Sequence, residues 1–333
     1  MSGFDISKES TEGYCKVCDG VYMMSQADFY PGTFSKDMCS INNRGFVFEV
    51  TNKKGEKHLL LSGLPGKSEI EKTKQIEKDT GLRLTVIVTS GDFHHMSLTS
   101  WLEAYPNAKF IHSALKFPTT RNGKEILANE AWKKQIELVE GPEIESLKEY
   151  EDTVKFVGFN QFYVYDDQEG LAVNSNNPAT VGGFSLIKKF ASLKPTTKFL
   201  AIWVYHVPSK QLLYEHNFAI FFSKEQLKRT PNFFFRMMLK PEEFSSCAKE
   251  PLPRGPAEPE ECKIHCETMQ KIIQLDVAAA LDYHSDFGCM CRKWEGKDEW
   301  TEEFKSILAK TGEDVADGSA MVEAMQPSRC TIM

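Results

Sequence analysis

The chain reads as an α/β fold on three observations. A strand, a helix and a second strand follow one another between His58 and Thr89. The second strand, Leu84 to Thr89, is a nearly continuous apolar run, the pattern of a strand covered on both faces of a parallel sheet. The same rhythm continues through a further helix to Lys109-Phe110-Ile111-His112.

Each element has its own signal. Phe46-Val47-Phe48-Glu49-Val50 alternates as strands do, Asn52-Lys53-Lys54-Gly55 supplies turn residues, and His58-Leu59-Leu60-Leu61 completes a hairpin ending at Gly63. Residues 68–80 predict a helix with Ile70 and Ile76 inward and its charges outward, closed by Gly81. Residues 97–105 give a second helix, Pro106-Asn107 a turn, and residues 130–135 a charged helical stretch. Residues 153–157 and 161–165 look like two strands. Phe199 to His206, a turn at Val207-Pro208-Ser209-Lys210, and Gln211-Leu212-Leu213-Tyr214 form a second hairpin. Four prolines between Pro251 and Pro259 mark a linker, residues 261–280 a helix, and residues 281–291 a strand end and loop. The expected division is an amino-terminal extension over 1–40, one domain over 41–308 and a flexible tail over 309–333.

Composition excludes several function classes. With 41% apolar and 26% charged residues in 333, the chain buries a sizeable core. Forty basic residues against 47 acidic ones give a net charge of −7, which offers no general attraction for nucleic acid. No apolar run approaches the ~20 residues of a membrane-spanning helix, and no secretory leader is visible at Met1-Ser2-Gly3-Phe4-Asp5. A cytoplasmic protein is expected. Phosphate-binding glycine loops are absent, Gly182-Gly183 being only a doublet.

The last four residues, Cys330-Thr331-Ile332-Met333, fit a prenylation signal of the farnesyl type. One farnesyl chain binds membranes only marginally. The tail is acidic, with Glu313, Asp314, Asp317 and Glu323, so it adds no electrostatic anchor. The expectation is weak peripheral association with the cytoplasmic face of a membrane, or use of the lipid in a protein contact.

Most histidines have ordinary structural readings: His58 in a strand, His112 at a strand end, His206 near a hairpin and His265 on a helix. Asp92-Phe93-His94-His95 is different, because it follows the buried strand and precedes a helix. Ligands in open α/β sheets gather outside the carboxyl ends of strands. His216 and His284 also stand at element ends, each near an acidic residue, Glu215 and Asp282.

With the runs Leu60-Leu61-Ser62-Gly63-Leu64-Pro65-Gly66, Val86-Ile87-Val88-Thr89 and Ser90-Gly91-Asp92-Phe93-His94-His95, the stretch from Trp101 to His112 and the hairpin to Glu215-His216, the chain resembles a divergent metallo-β-lactamase family over roughly residues 45 to 290. The resemblance implies a four-layer αββα sandwich. The family's His-x-His-x-Asp-His loop falls on Ser90, Asp92, His94 and His95, so two histidines have become Ser and Asp and the aspartate has become His. The bridging aspartate falls on His216 and the last histidine on His284. The family's middle histidine falls near Thr196, where this chain has none.

A dinuclear hydrolase centre needs the bridging carboxylate. The set Asp92, His94, His95, His216 and His284 suits one divalent ion, zinc, iron or manganese. The resemblance therefore implies a metal-dependent hydrolase or oxygen-handling enzyme with an atypical, mononuclear site and a small-molecule substrate or ligand. The alternative is a metal-free binding or signalling protein that retains the fold. Separately, Cys15-x-x-Cys18, Cys262-x-x-His265-Cys266 and Cys289-Met290-Cys291 are short-spaced sets of the kind tetrahedral zinc uses, but none has the full spacing of a zinc ribbon or finger, and reduced surface and core thiols are the simpler reading. Phe233-Phe234-Phe235 with Met237 and Met238 reads as core packing, with a lid or a membrane-facing patch as the other reading.

Overall fold

A computed structural model of the chain describes residues 13–29, 41–63, 66–89, 97–114, 117–140, 143–163, 197–214, 219–220, 245–246, 271–283, 291–293, 295–302 and 305. Seven strands form the first sheet in sequence order: β1 (Tyr14–Cys18), β2 (Val21–Phe29), β3 (Ile41–Thr51), β4 (Lys57–Ser62), β5 (Leu84–Val88), β6 (Lys109–Ser113) and β7 (Ile136–Val139). The first four pair antiparallel and β4 to β7 pair parallel. Parallel neighbours require crossovers. These carry α1 (Glu69–Thr80), α2 (Leu98–Ala104), and α3 (Arg121–Leu127) with α4 (Glu130–Gln135).

The second sheet contains β8 (Val154–Tyr163), β9 (Thr197–His206), β10 (Gln211–Tyr214), β13 (Ala279–Asp282) and β14 (Cys291–Lys293), in the order β14-β13-β10-β9-β8. Only β10 and β13 are parallel there. Two-residue strands β11 (Ala219–Ile220) and β12 (Ser245–Ser246) form a separate small ladder.

Side-chain alternation turns this topology into layers. In β3, Phe46, Phe48 and Val50 join Leu60, Val86, Val88, Ile202, Val204, Leu213 and Leu281 in one buried cluster between the sheets. Val47, Leu59, Leu61, Ile87 and Phe110 face the other way and pack with Ile70, Ile76, Trp101 and Leu102 of α1 and α2. The outer face of the second sheet is buried as well, at Trp203, Leu212 and Ala280, and helical residues 271–273 and 297–302 carry buried Ile272 and Trp300. The fold is a mixed α/β sandwich with its sheets flanked by helices.

Several expectations need correction. Residues 14–29, assigned to an extension, are the first two strands of the main sheet; their apolar residues Val17, Val21 and Met23 complete the core between the sheets. The two strands expected around Gly158 are one continuous β8, because every residue from Val154 to Tyr163 pairs with β9. The helix expected to run to Ala280 ends at Ile273; residues 279–282 pair in parallel with β10, and tertiary pairing overrides the helix propensity of Ala279-Ala280-Leu281. The hairpin, α1, α2, β5, β6 and β10 lie where periodicity puts them, and α1 stops at Gly81 with φ 73°.

At the β9–β10 turn, His206 bridges the two sheets. Its Nε2 lies 3.1 Å from the Glu49 carbonyl oxygen and its Nδ1 2.6 Å from Ser209 Oγ. A carbonyl only accepts, so Nε2–H donates to Glu49 and Nδ1 accepts from the serine hydroxyl. Burial lowers the His206 pKa below its ordinary 6.5, partly opposed by the bond to Glu49. The unfolded chain therefore binds this proton more readily, and the stability held by neutral His206 is complete above pH ~6.5 and falls as pH drops below it. Urea unfolding midpoints should decrease from pH 7 to pH 5, and His206→Gln should flatten that slope.

Candidate functional site

The parallel ladders bring strand ends together. In the first sheet, Ser62 of β4 is level with Val88 of β5, and Val88 is level with Ile111 of β6. In the second, Tyr214 of β10 is level with Asp282 of β13. Asp92, His94 and His95 follow the end of β5 in the chain, His216 follows β10 by two residues, and His284 follows β13 by two. The chain thus leaves β10 and β13 side by side toward two of the candidate ligands.

A direct contact joins this end of one sheet to the same end of the other. Ser62 Oγ and the Tyr283 hydroxyl are 2.8 Å apart, both buried. The Tyr283 ring meets Phe46 edge-on at 5.9 Å between centroids. It also lies against Gly63, where a Cβ would come within 2.6 Å of Tyr283 Cε1. Gly63 has φ 89° and its N–H donates to the Val88 carbonyl at 3.0 Å, so the turn out of β4 is clamped to the end of β5. Only glycine combines that backbone with that closeness. The carboxyl ends of β4, β5, β10 and β13 therefore form one edge of the sandwich.

This edge is polar where the interior beneath it is apolar. Arg44 of β3 and Ser25 of β2 are paired across the ladder and buried to 0% and 1% exposure. By alternation they share the faces of Phe46 and Met23, toward the second sheet. The sequence pattern missed both, since the strand was read from Phe46 onward and Met24-Ser25 carried no periodic signal. An arginine two places before an alternating apolar run was the available clue.

Asp92, His94, His95, His216, His284, Cys289 and Cys330 lie outside the described residues. So do Cys262, His265, Cys266 and the Phe233-Phe234-Phe235 cluster. Among the described histidines, His58 sits 3.9 Å from Glu56 and edge-on to Tyr150, and His112 stacks on Phe117 at 4.1 Å. With His206 they have the structural roles that the sequence suggested. Cys15 is buried in the core between the sheets, and Cys18 is half-buried at the end of β1. Burial pushes the Cys18 thiol up, with a hydrogen bond to Ser209 acting the other way. Cys291 pairs with Leu281 through β14. Among the described residues, no group of three or more His, Cys, Asp or Glu side chains could hold a metal ion, and no helix is long and apolar enough to cross a membrane.

No family model and no curated protein matches the chain. Solved structures resemble it at low identity. Diflavin flavoprotein A 5 from Nostoc sp. PCC 7120 is 12% identical, over 93% of this chain and 96% of that one, with a TM-score of 0.46. A metallo-β-lactamase from Hirschia baltica is 10% identical, over 95% and 98%, with a TM-score of 0.44. The flavodiiron protein from Giardia intestinalis is 10% identical over 90% of this chain but only 60% of its own length, with a TM-score of 0.43. The strand order and layers described above define the fold of this chain independently of these likenesses.

The clamp has a measurable worth. Tyr283→Phe leaves the buried Ser62 hydroxyl without that partner and should cost about 1 kcal/mol. Gly63→Ala combines a left-handed backbone with a ring clash and should cost about 2 kcal/mol or more. Urea unfolding of the two variants should rank them in that order.

Proposed function

We propose that this protein is a metal-dependent hydrolase or oxygen-handling enzyme with a mononuclear site at the shared carboxyl edge of its two sheets. The observation that carries the reading is the convergence of β5, β10 and β13 at the Ser62–Tyr283 contact. The segments bearing Asp92, His94 and His95, His216, and His284 all depart from that edge. Three or more of these five residues would hold one zinc, iron or manganese ion.

The donor set fits a single ion. Imidazoles with one carboxylate suit any of the three metals, whereas His216 in place of a bridging carboxylate does not fit a metal pair. When bound, such an ion supplies Lewis acidity and lowers the pKa of a water, or offers an open position for oxygen. The chain's own contribution is positional. Tyr283, fixed by Ser62 and Phe46, anchors the backbone one residue before His284. The apolar layer beneath keeps water from reaching the edge from below. Ligands held by such packed neighbours lose little freedom on binding.

The ending Cys330-Thr331-Ile332-Met333 supports farnesylation of Cys330 and weak, reversible attachment to the cytoplasmic face of a membrane, with a small molecule rather than nucleic acid as the substrate. Protein purified from its native host should carry the mass of one farnesyl group, and Cys330→Ser should lack it. An unmodified wild-type chain removes the lipid from the reading.

Elemental analysis of protein purified without chelators tests the metal. About one ion per chain is expected, lost when His94→Ala is combined with His95→Ala. A folded, metal-free wild type supports the non-catalytic binding protein instead. Metal that survives the histidine changes but disappears with Cys289→Ser and Cys291→Ser points to a structural thiolate zinc.

A further inference from the structure

We propose that the outer face of α3 and α4 is a docking surface for an anionic lipid bilayer, with Lys124, Lys133 and Lys134 meeting the headgroups and Trp132 lying at the interface. This deepens the attachment read from Cys330, on which it rests for the second anchor, and it does not involve the metal site. Three observations support it.

The first is unneutralised charge. Lys124, Lys133 and Lys134 are exposed, and among the described residues none of the three ammonium groups is in an ion pair or hydrogen bond. On α1, by contrast, Lys72 is held by Glu69 and Lys74 by Glu71, each at 2.7 Å. Residues 121–135 carry four cations against two carboxylates, in a chain whose net charge is −7. One of those carboxylates, Glu125, is already engaged by Arg121 at 3.0 Å, which leaves the three lysines against Glu130. The second is the seating of the element. α4 buries no residue, whereas α1, α2 and α3 each bury two or more. Its place is set through the backbone: Asn129 Oδ1 accepts from the amides of Ala131 and Trp132, at 3.0 and 3.3 Å, and the helix runs directly into β7. A helix anchored at both ends but buried nowhere is held on the surface. The third is the apolar rim. Leu127 and Trp132 are half-buried, packed on the core beneath the helices yet reaching solvent, with Trp132 adjoining Lys133 in the chain. Tryptophan suits the boundary between headgroups and acyl chains, being apolar with one wet N–H. Lysine lays its apolar stem along such a surface and keeps its ammonium at the polar level.

Cations spread over two helices beside an interfacial tryptophan match the phosphates of an extended lipid surface. Each lysine close to an acidic leaflet favours the bound state about fivefold, within a Debye length of ~8 Å. The acidity of the chain as a whole opposes approach by its average surface, so this patch sets orientation as well as affinity. A single farnesyl chain anchors only marginally, and a basic patch is the kind of second signal that completes the attachment. Twenty-five positions separate Lys305 from Cys330, a contour of up to about 85 Å, so the lipid reaches the bilayer while this face lies on it.

The test is co-sedimentation of the full, farnesylated chain with vesicles of phosphatidylcholine, and with vesicles of phosphatidylcholine and phosphatidylserine mixed seven to three. Binding to the mixed vesicles is expected to be at least tenfold tighter, and to fall to the phosphatidylcholine level in ~1 M salt. Lys124→Gln, Lys133→Gln and Lys134→Gln together should remove that preference, and folded Trp132→Ala protein should bind several-fold more weakly. The control is Lys53→Gln, Lys54→Gln and Lys57→Gln in the β3–β4 hairpin, which changes net charge equally at exposed lysines that lie beside Glu56 and Glu151. It should keep most of the preference. All six lysines are exposed, so neither triple change threatens the fold. The Cys330→Ser chain should bind both vesicles more weakly yet still distinguish them, so failure of the farnesyl reading and failure of this one are told apart. Equal binding to the two vesicle types, or equal loss in the two triple variants, overturns the proposal.

Discussion

The structure depends on one constraint: the two sheets must meet face to face over an apolar layer and still have their carboxyl ends at the same edge. Burial of Phe46, Phe48, Leu60, Val86, Val88, Ile202, Val204, Leu213 and Leu281 supplies the attraction. That force is non-directional and cannot by itself choose which ends coincide. Tyr283 does so locally, through one hydrogen bond to Ser62 and a ring seated on Gly63. At the other end, His206 bonds the backbone of Glu49 across the layer. The sheets are therefore tied by polar contacts at both ends of an apolar interface, each requiring a definite geometry.

The two ties differ in chemistry. The Ser62–Tyr283 tie is a contact between two buried hydroxyls. The other tie runs through the His206 ring, whose pKa burial lowers, so that protonation in acid works against it. The buried Arg44 belongs with the Tyr283 edge. It stands two residues before Phe46, the ladder partner of Ser62, beside the strand ends.

How much of this was legible in the amino acids varies by element. Strands with clean alternation or a continuous apolar run, β3 at Phe46–Val50, β5 and β10, could be read directly because period-two burial leaves a local trace. The helix α1 was equally legible, with Gly81 as its stop. β1 and β2 were not, since Tyr14 to Cys18 is half exposed and mixed, and β2 is held in the sheet by β3, with Val21 level with Phe48. β13 was concealed by alanines that favour helix in isolation. The candidate ligands stood out through residue type and their position after strands. Arg44 and Ser25 did not, because an arginine or a serine in sequence is normally a surface residue.

The sequence by itself determined the α/β class, the hairpins, the helix boundaries around 69–80, and the set of metal-capable side chains, all of which are written in local periodicity and residue chemistry. Only the tertiary structure decided that residues 14–29 contribute two strands to the main sheet, that residues 279–282 pair in parallel beside β10, and that the ends of β4 and β13 touch. These pairings join residues as much as 221 positions apart, as Ser62 and Tyr283 are. Long-range contacts of this kind are selected by the burial of whole faces, and no short window of sequence contains both partners.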